Sequence, residues 1–233
     1  MLVDNKFFYI SLPRCASTAF QISCIKNNIS IQHARGFIDN VISSTNNSLD
    51  IQTLKDNIPH YHESCSELFN KFGNDYEIIS VKRDRHVRFI SCWEHVIHEL
   101  EIKKEYDIAN ILKELDENDV LHYTSNDILD INSMDLMVTS FIKKYPIELK
   151  TDFAKAYLPI MLGIQFNAIS EWHEHNPNII WFDFDKLYEL EEWVSNKLEK
   201  PFKLERLNSS KHIECNLKLT DNFIKKYNKI YDS

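Results

Sequence analysis

Short apolar runs along the chain predict the strands of a sheet. Residues 7–12, 76–83 and 178–184 are rich in aromatic and β-branched side chains, which strands favour. The first run is typical of a strand that is covered on both faces. Residues 29–33 alternate apolar and polar side chains and predict a further, shorter strand.

Stretches with a helical repeat separate these strands. Helices are predicted from Ser17 onward, at 64–72 with Gly73 as the C-cap, at 87–100, at 187–198 and at 220–231, with Thr220 or Asp221 as the last N-cap. Residues 103–175 show several helical periodicities and no compelling strand. Alternating strands and helices predict an α/β fold with an open, mostly parallel β-sheet flanked by helices on both faces. We expect residues 1–233 to form a single domain.

Composition narrows the classes of function. The net charge of −8 argues against a general nucleic-acid binder, which carries a broad basic face. Five cysteines without close pairs favour reduced thiols in a cytosolic setting. Neither a run of about 18 apolar residues nor the character of a signal peptide is present, so we expect a cytoplasmic protein without a membrane segment.

A first candidate site lies where the run 7–12 ends. Pro13 ends the strand because it has no N–H to donate, and Ser17 and Thr18 open the helix that follows. A helix that starts directly after a buried strand directs unpaired N–H groups and the positive end of its dipole at the sheet edge. Arg14, Ser17 and Thr18 add side-chain donors, so the sequence predicts an anion site. The chain has only three glycines, which excludes the usual glycine-rich phosphate loops.

A second candidate site lies where the run 76–83 leads into a helix. An arginine at the strand end, Arg83, and a serine eight residues later, Ser91, are placed to hold one phosphate. The alternative is a solvated basic helix start. Cations oppose the dipole at a helix N-terminus, however, so an anion should compensate for Lys82, Arg83, Arg85 and Arg88.

Together these motifs resemble the sulfotransferase family, which uses 3′-phosphoadenosine 5′-phosphosulfate (PAPS), and its carbohydrate and bacterial branches above all. The resemblance implies a P-loop-like fold, PAPS as the co-substrate and no metal. It makes Arg14, Ser17 and Thr18 ligands of the 5′-phosphosulfate, and Arg83 and Ser91 ligands of the 3′-phosphate. Residues 206–211 resemble the closing segment of the family. The further expected donor contacts are Pro13, Cys15, Ala16, Ala19, Ser210 and Lys211.

Three residues depart from the family pattern. Ala16 replaces the usual glycine, so a backbone that needs a positive φ there would be strained. Arg14 stands where many members have lysine; it can neutralise the leaving phosphate but does not donate a proton. Arg85 replaces the usual proline. These departures leave open a non-catalytic relative that binds a nucleotide or a sulfated glycan.

Sulfuryl transfer needs a base that takes a proton from the acceptor hydroxyl. His62 is the first candidate, because several branches of the family carry a base histidine just before the Arg83 strand; His60 and His33 are the alternatives. We expect the acceptor to be a saccharide or another polar metabolite. A P-loop nucleotide kinase is a further alternative, but G-x-x-x-x-G-K-[ST] is absent and no magnesium-binding acid is evident.

Overall fold

The computed structural model describes residues 1–12, 14–34, 63, 65–116, 143–145, 178–207, 213 and 215–231. The chain divides into two compact units. The first consists of Met1–Arg83 and Ile169–Asn208, and the second of Asp84–Ala168 and Ser209–Ser233. The single domain expected from the sequence stays a prediction.

The first unit contains an open, mixed sheet. Its five described strands are β1 (Leu2–Val3), β2 (Phe7–Ile10), β3 (Ile31–Gln32), β4 (Glu77–Lys82) and β5 (Ile179–Asp183), in the order β3-β1-β2-β4-β5. β2, β4 and β5 pair in parallel, whereas β1 is antiparallel to both β2 and β3. Four of these strands therefore run in one direction, and their carboxyl ends share one edge of the sheet.

The described helices are α1 (Ser17–Lys26), α2 (Cys65–Phe72), α3 (Arg85–Ile102), α4 (Tyr106–Glu114), α5 (Leu187–Leu198) and α6 (Asp221–Tyr231). A short 3₁₀ helix, Phe184–Lys186, joins β5 to α5. Helices in the first unit cover both faces of the sheet. Two neighbouring residues of β2 show this, because successive side chains of a strand point to opposite faces. Phe7 packs against Trp193 of α5 at 5.0 Å between ring centroids, and its neighbour Phe8 contacts Phe69 of α2 at 5.9 Å.

The second unit is helical in its described part. α3 and α4 pack together around a buried cluster that includes Phe89 and Trp93. Phe89 also contacts Phe223 of α6, with ring centroids 5.5 Å apart. No helix among the described residues is both long and apolar enough to cross a membrane.

Most element predictions are confirmed, with shifts at the ends. The helix predicted at 187–198 matches α5, and Thr220 caps α6 by accepting a 3.1 Å hydrogen bond from the Phe223 N–H. Gly73 has a φ of 84°, as its predicted place after α2 requires. The strand expected at 29–33 is only Ile31–Gln32. The sequence does not predict β1, because two residues are too few to show a periodic pattern. β1 pairs antiparallel with both of its neighbours, so the sheet is mixed and not mostly parallel as expected.

Candidate anion-binding site

The loop that follows β2 turns sharply into α1. Arg14 and Ala16 both adopt left-handed backbone conformations, with φ of 60° and 62°. The N–H of Cys15 donates to the Leu12 carbonyl at 3.2 Å, which closes the turn. A left-handed residue without glycine's freedom is strained, so the strain expected at Ala16 is present.

Tyr9 of β2 holds this loop against the sheet. Its hydroxyl donates to the Cys15 carbonyl at 3.3 Å, and its ring stacks on Phe20 of α1 at 3.9 Å. Burial raises the pKa of Tyr9 well above 10, and the nearby Cys15 and Cys24 add to this increase. The phenol therefore stays protonated and keeps its hydrogen bond to the loop.

The N-terminus of α1 has no capping side chain. Ala16 occupies the N-cap, where a Ser, Thr, Asp or Asn would normally accept hydrogen bonds from the first turn, and it makes no side-chain cap bond. The first turn also contains no acidic residue. The positive end of the helix dipole thus lacks compensation from its own cap and first turn, and this arrangement favours an anion.

Arg83 follows β4 at the same edge and reaches this loop. Its Nη1 donates a long hydrogen bond of 3.4 Å to the Arg14 carbonyl, and its Cζ lies 4.6 Å from the centroid of the Phe184 ring. None of the described carboxylates forms an ion pair with Arg83. The neighbouring Lys82, in contrast, pairs with Asp183 at 3.3 Å. Arg83 is thus a half-buried cation that the described part of the protein does not neutralise.

The second predicted motif differs from the first. Asp84 caps α3, and its Oδ1 accepts hydrogen bonds of 3.0 Å from the N–H groups of His86 and Val87. Asp84 is therefore an anion that compensates the basic helix start, which removes that argument for a ligand there. Arg85 donates to Asn228 Oδ1 of α6 at 2.8 Å. Ser91 is buried on α3 and belongs to the second unit.

His33 follows β3 at the carboxyl edge, and it is contacted by Glu63 and by Lys71 of α2. Its Nδ1 lies 3.0 Å from Glu63 Oε2, and both side chains are buried. Lys71 donates to the carbonyls of His33 and Ala34, each at 3.1 Å. The role of His33 as a base stays a prediction, and full burial of its ring is more typical of a structural histidine.

The structure brings some predicted site residues together and leaves others undescribed. Arg14 and Arg83 meet at the loop, beside the first turn of α1, where Ser17 is buried and Thr18 and Ala19 are half-buried. Pro13, His60, His62, Ser210 and Lys211 lie outside the described residues. Sequence reasoning missed Glu63, Lys71 and Phe184. Only Phe184 carried a signal, because it ends the predicted strand run 178–184 as Arg83 ends the run 76–83.

Comparison of the chain with family models, with curated proteins and with solved structures found no match. The described residues contain no group of three or more His, Cys, Asp or Glu side chains that could hold a metal ion.

Proposed function

We propose that the chain is a PAPS-dependent sulfotransferase with a P-loop-like fold that acts on a hydroxyl of a saccharide or another polar metabolite. One observation carries the proposal: α1 begins without a cap directly after a central parallel strand, and Arg14 and Arg83 lie beside it. This arrangement suits a phosphosulfate. The left-handed Ala16 stands where the sulfotransferases carry glycine, which adds support.

The chemistry assigned to these residues is charge neutralisation. PAPS supplies the sulfuryl group, and as the acceptor oxygen bonds to sulfur, the bond between sulfur and the 5′-phosphate oxygen breaks and its electron pair goes to that phosphate. Arg14 and the N–H groups of α1 would stabilise the negative charge that develops there. The acceptor proton goes to a base, for which His62 remains the first candidate. Arg83 would hold the 3′-phosphate, the role that the resemblance gives it.

Ligand-dependent thermal stability tests the proposal. A ligand that binds only the native state raises the melting temperature, so adenosine 3′,5′-bisphosphate should stabilise the protein saturably, and ATP with magnesium should not. Arg83→Met should remove this stabilisation. Lys82→Met is the matched control, because it removes the adjacent cation, which already pairs with Asp183, and it should keep the effect.

Each outcome of that test has a distinct meaning. Absence of stabilisation by the bisphosphate in the unmodified protein would refute the sulfotransferase proposal, and stabilisation by ATP with magnesium would favour a nucleotide kinase. The second candidate is a non-catalytic module that binds a nucleotide or a sulfated glycan. The strain at Ala16 favours it, because the family's glycine has been lost at a left-handed position. Bisphosphate binding without sulfate transfer to a panel of acceptors would support this module.

A further inference from the structure

We propose that Phe184 is a positioning residue that holds the Arg83 guanidinium ready for an anionic ligand. The proposal rests on the proposed function, in which Arg83 binds a phosphate. Phe184 is half-buried at the start of the 3₁₀ helix that follows β5. Its ring centroid lies 4.6 Å from Arg83 Cζ, which is a cation–π distance.

The register of the sheet places these two residues side by side. Lys82 pairs with Asp183 across the parallel strands β4 and β5, so Arg83 and Phe184 follow as the next pair. Successive side chains along a strand point to opposite faces of the sheet. We therefore expect the Lys82–Asp183 ion pair on one face and the Arg83–Phe184 contact on the other. Asp183, the last residue of β5, is thereby engaged by Lys82 at 3.3 Å and not by Arg83.

An aromatic partner positions a guanidinium without consuming its hydrogen bonds. A carboxylate would form two parallel N–H···O bonds with Arg83 and cancel its charge. A ring attracts the cation through its face and leaves the N–H donors, which lie in the guanidinium plane, available. One of the five donors reaches the Arg14 carbonyl at 3.4 Å. The rest are suited to bind a ligand with two or more anionic oxygens.

Preorganisation gives this contact its functional value. Arginine has a long side chain whose free rotation is lost when it binds a ligand, and this loss weakens affinity. The Phe184 face and the Arg14 carbonyl restrict Arg83 before the ligand arrives. Removing the ring should therefore weaken anion binding even though Phe184 itself does not contact the anion.

Calorimetric titration with adenosine 3′,5′-bisphosphate tests this role. Phe184→Leu should weaken affinity by about threefold to tenfold, as expected for an exposed or half-exposed cation–π contact, and Phe184→Tyr should bind within about twofold of the unmodified protein. The same substitution is then made in the Arg83→Met variant, which is titrated to higher bisphosphate concentrations. There, Phe184→Leu should weaken affinity by less than a further factor of about two. The proposal would be overturned if the leucine variant bound as tightly as the unmodified protein. It would also be overturned if Phe184→Leu weakened affinity as much in the Arg83→Met variant as in the unmodified protein.

Two further measurements separate this proposal from the proposed function. The ¹H signal of the Arg83 side-chain Nε–H, observed in a ¹H–¹⁵N correlation spectrum, should show a ring-current shift without any ligand, and ¹⁵N relaxation should show restricted motion. Phe184→Leu should abolish both. An unshifted signal in the unmodified protein would refute the stacking.

If the bisphosphate does not bind, the sulfotransferase proposal fails, and pyrophosphate becomes the probe for the same variants. Binding of neither anion would refute the role of Phe184 as well. Phe184→Met replaces Phe184→Leu if the latter fails to fold.

Discussion

Replacing Ala16 with glycine should stabilise the protein, whereas glycine in the interior of a helix usually destabilises it. Ala16 has φ of 62° and ψ of 14°, a left-handed conformation that costs an L-residue about 1–2 kcal/mol. Glycine removes this cost but adds about 0.4–1 kcal/mol of conformational entropy to the unfolded chain. The difference predicts that Ala16→Gly raises the free energy of unfolding by about 0.7 kcal/mol, or the melting temperature by about 2 °C.

Urea unfolding at 25 °C measures this difference through the midpoint concentration at constant m-value. Ala19→Gly is the matched control, because Ala19 is also half-buried but lies within α1, where glycine should cost about 0.5–1 kcal/mol. The two substitutions should therefore act with opposite sign. If Ala16→Gly destabilises the protein as much as Ala19→Gly does, Ala16 is not strained, and the left-handed turn into α1 is wrong.

Two more predictions concern the residues that hold the site. Glu63→Ala removes a buried carboxylate that contacts both His33 and the Met1 amino group, and it should lower the free energy of unfolding by about 1.5–3 kcal/mol. Glu189→Ala, which removes an exposed ion pair with Lys186, should cost less than about 0.5 kcal/mol in the same urea assay. A loss for Glu63→Ala no larger than this control would argue against the buried pair. Burial raises the pKa of Tyr9 in the folded state above its unfolded value near 10, so its contribution to stability is complete below about pH 10 and declines as the pH rises further. Unfolding at pH 9, 10 and 11 should show this decline in the unmodified protein relative to Tyr9→Phe, and parallel curves for the two proteins would contradict it.

The sequence was sufficient for the parallel part of the sheet. The runs that form β2, β4 and β5 are continuous, apolar and bounded by polar or turn residues, so local composition is enough to identify them as strands. The place of Arg14 and Arg83 at one sheet edge followed, because parallel strands that lead into helices direct their loops to the same side. This part of the candidate site needed only the order of the elements.

The contacts that the site residues make could not be predicted without the fold itself. Glu63 lies 30 residues from His33 along the chain, and no local pattern connects the two. Arg83 meets Phe184 through the register of β4 and β5, and a shift of one residue would have paired it differently. β1 joins the sheet through its pairing with β2 and β3, not through a signal of its own. Long-range pairing of this kind is set by packing, which single-sequence patterns do not contain.

The two helix starts that looked equivalent in the sequence place different demands on a ligand. α3 has Asp84 as its cap, so its first N–H groups are satisfied within the protein. α1 has Ala16 there, which offers no side-chain acceptor, and a side-chain cap is typically worth about 1 kcal/mol. A bound anion can supply that acceptor and neutralise Arg83 in the same event. We therefore expect anion affinity to be concentrated at α1, Arg14 and Arg83, with Phe184 in its proposed role of positioning the Arg83 guanidinium.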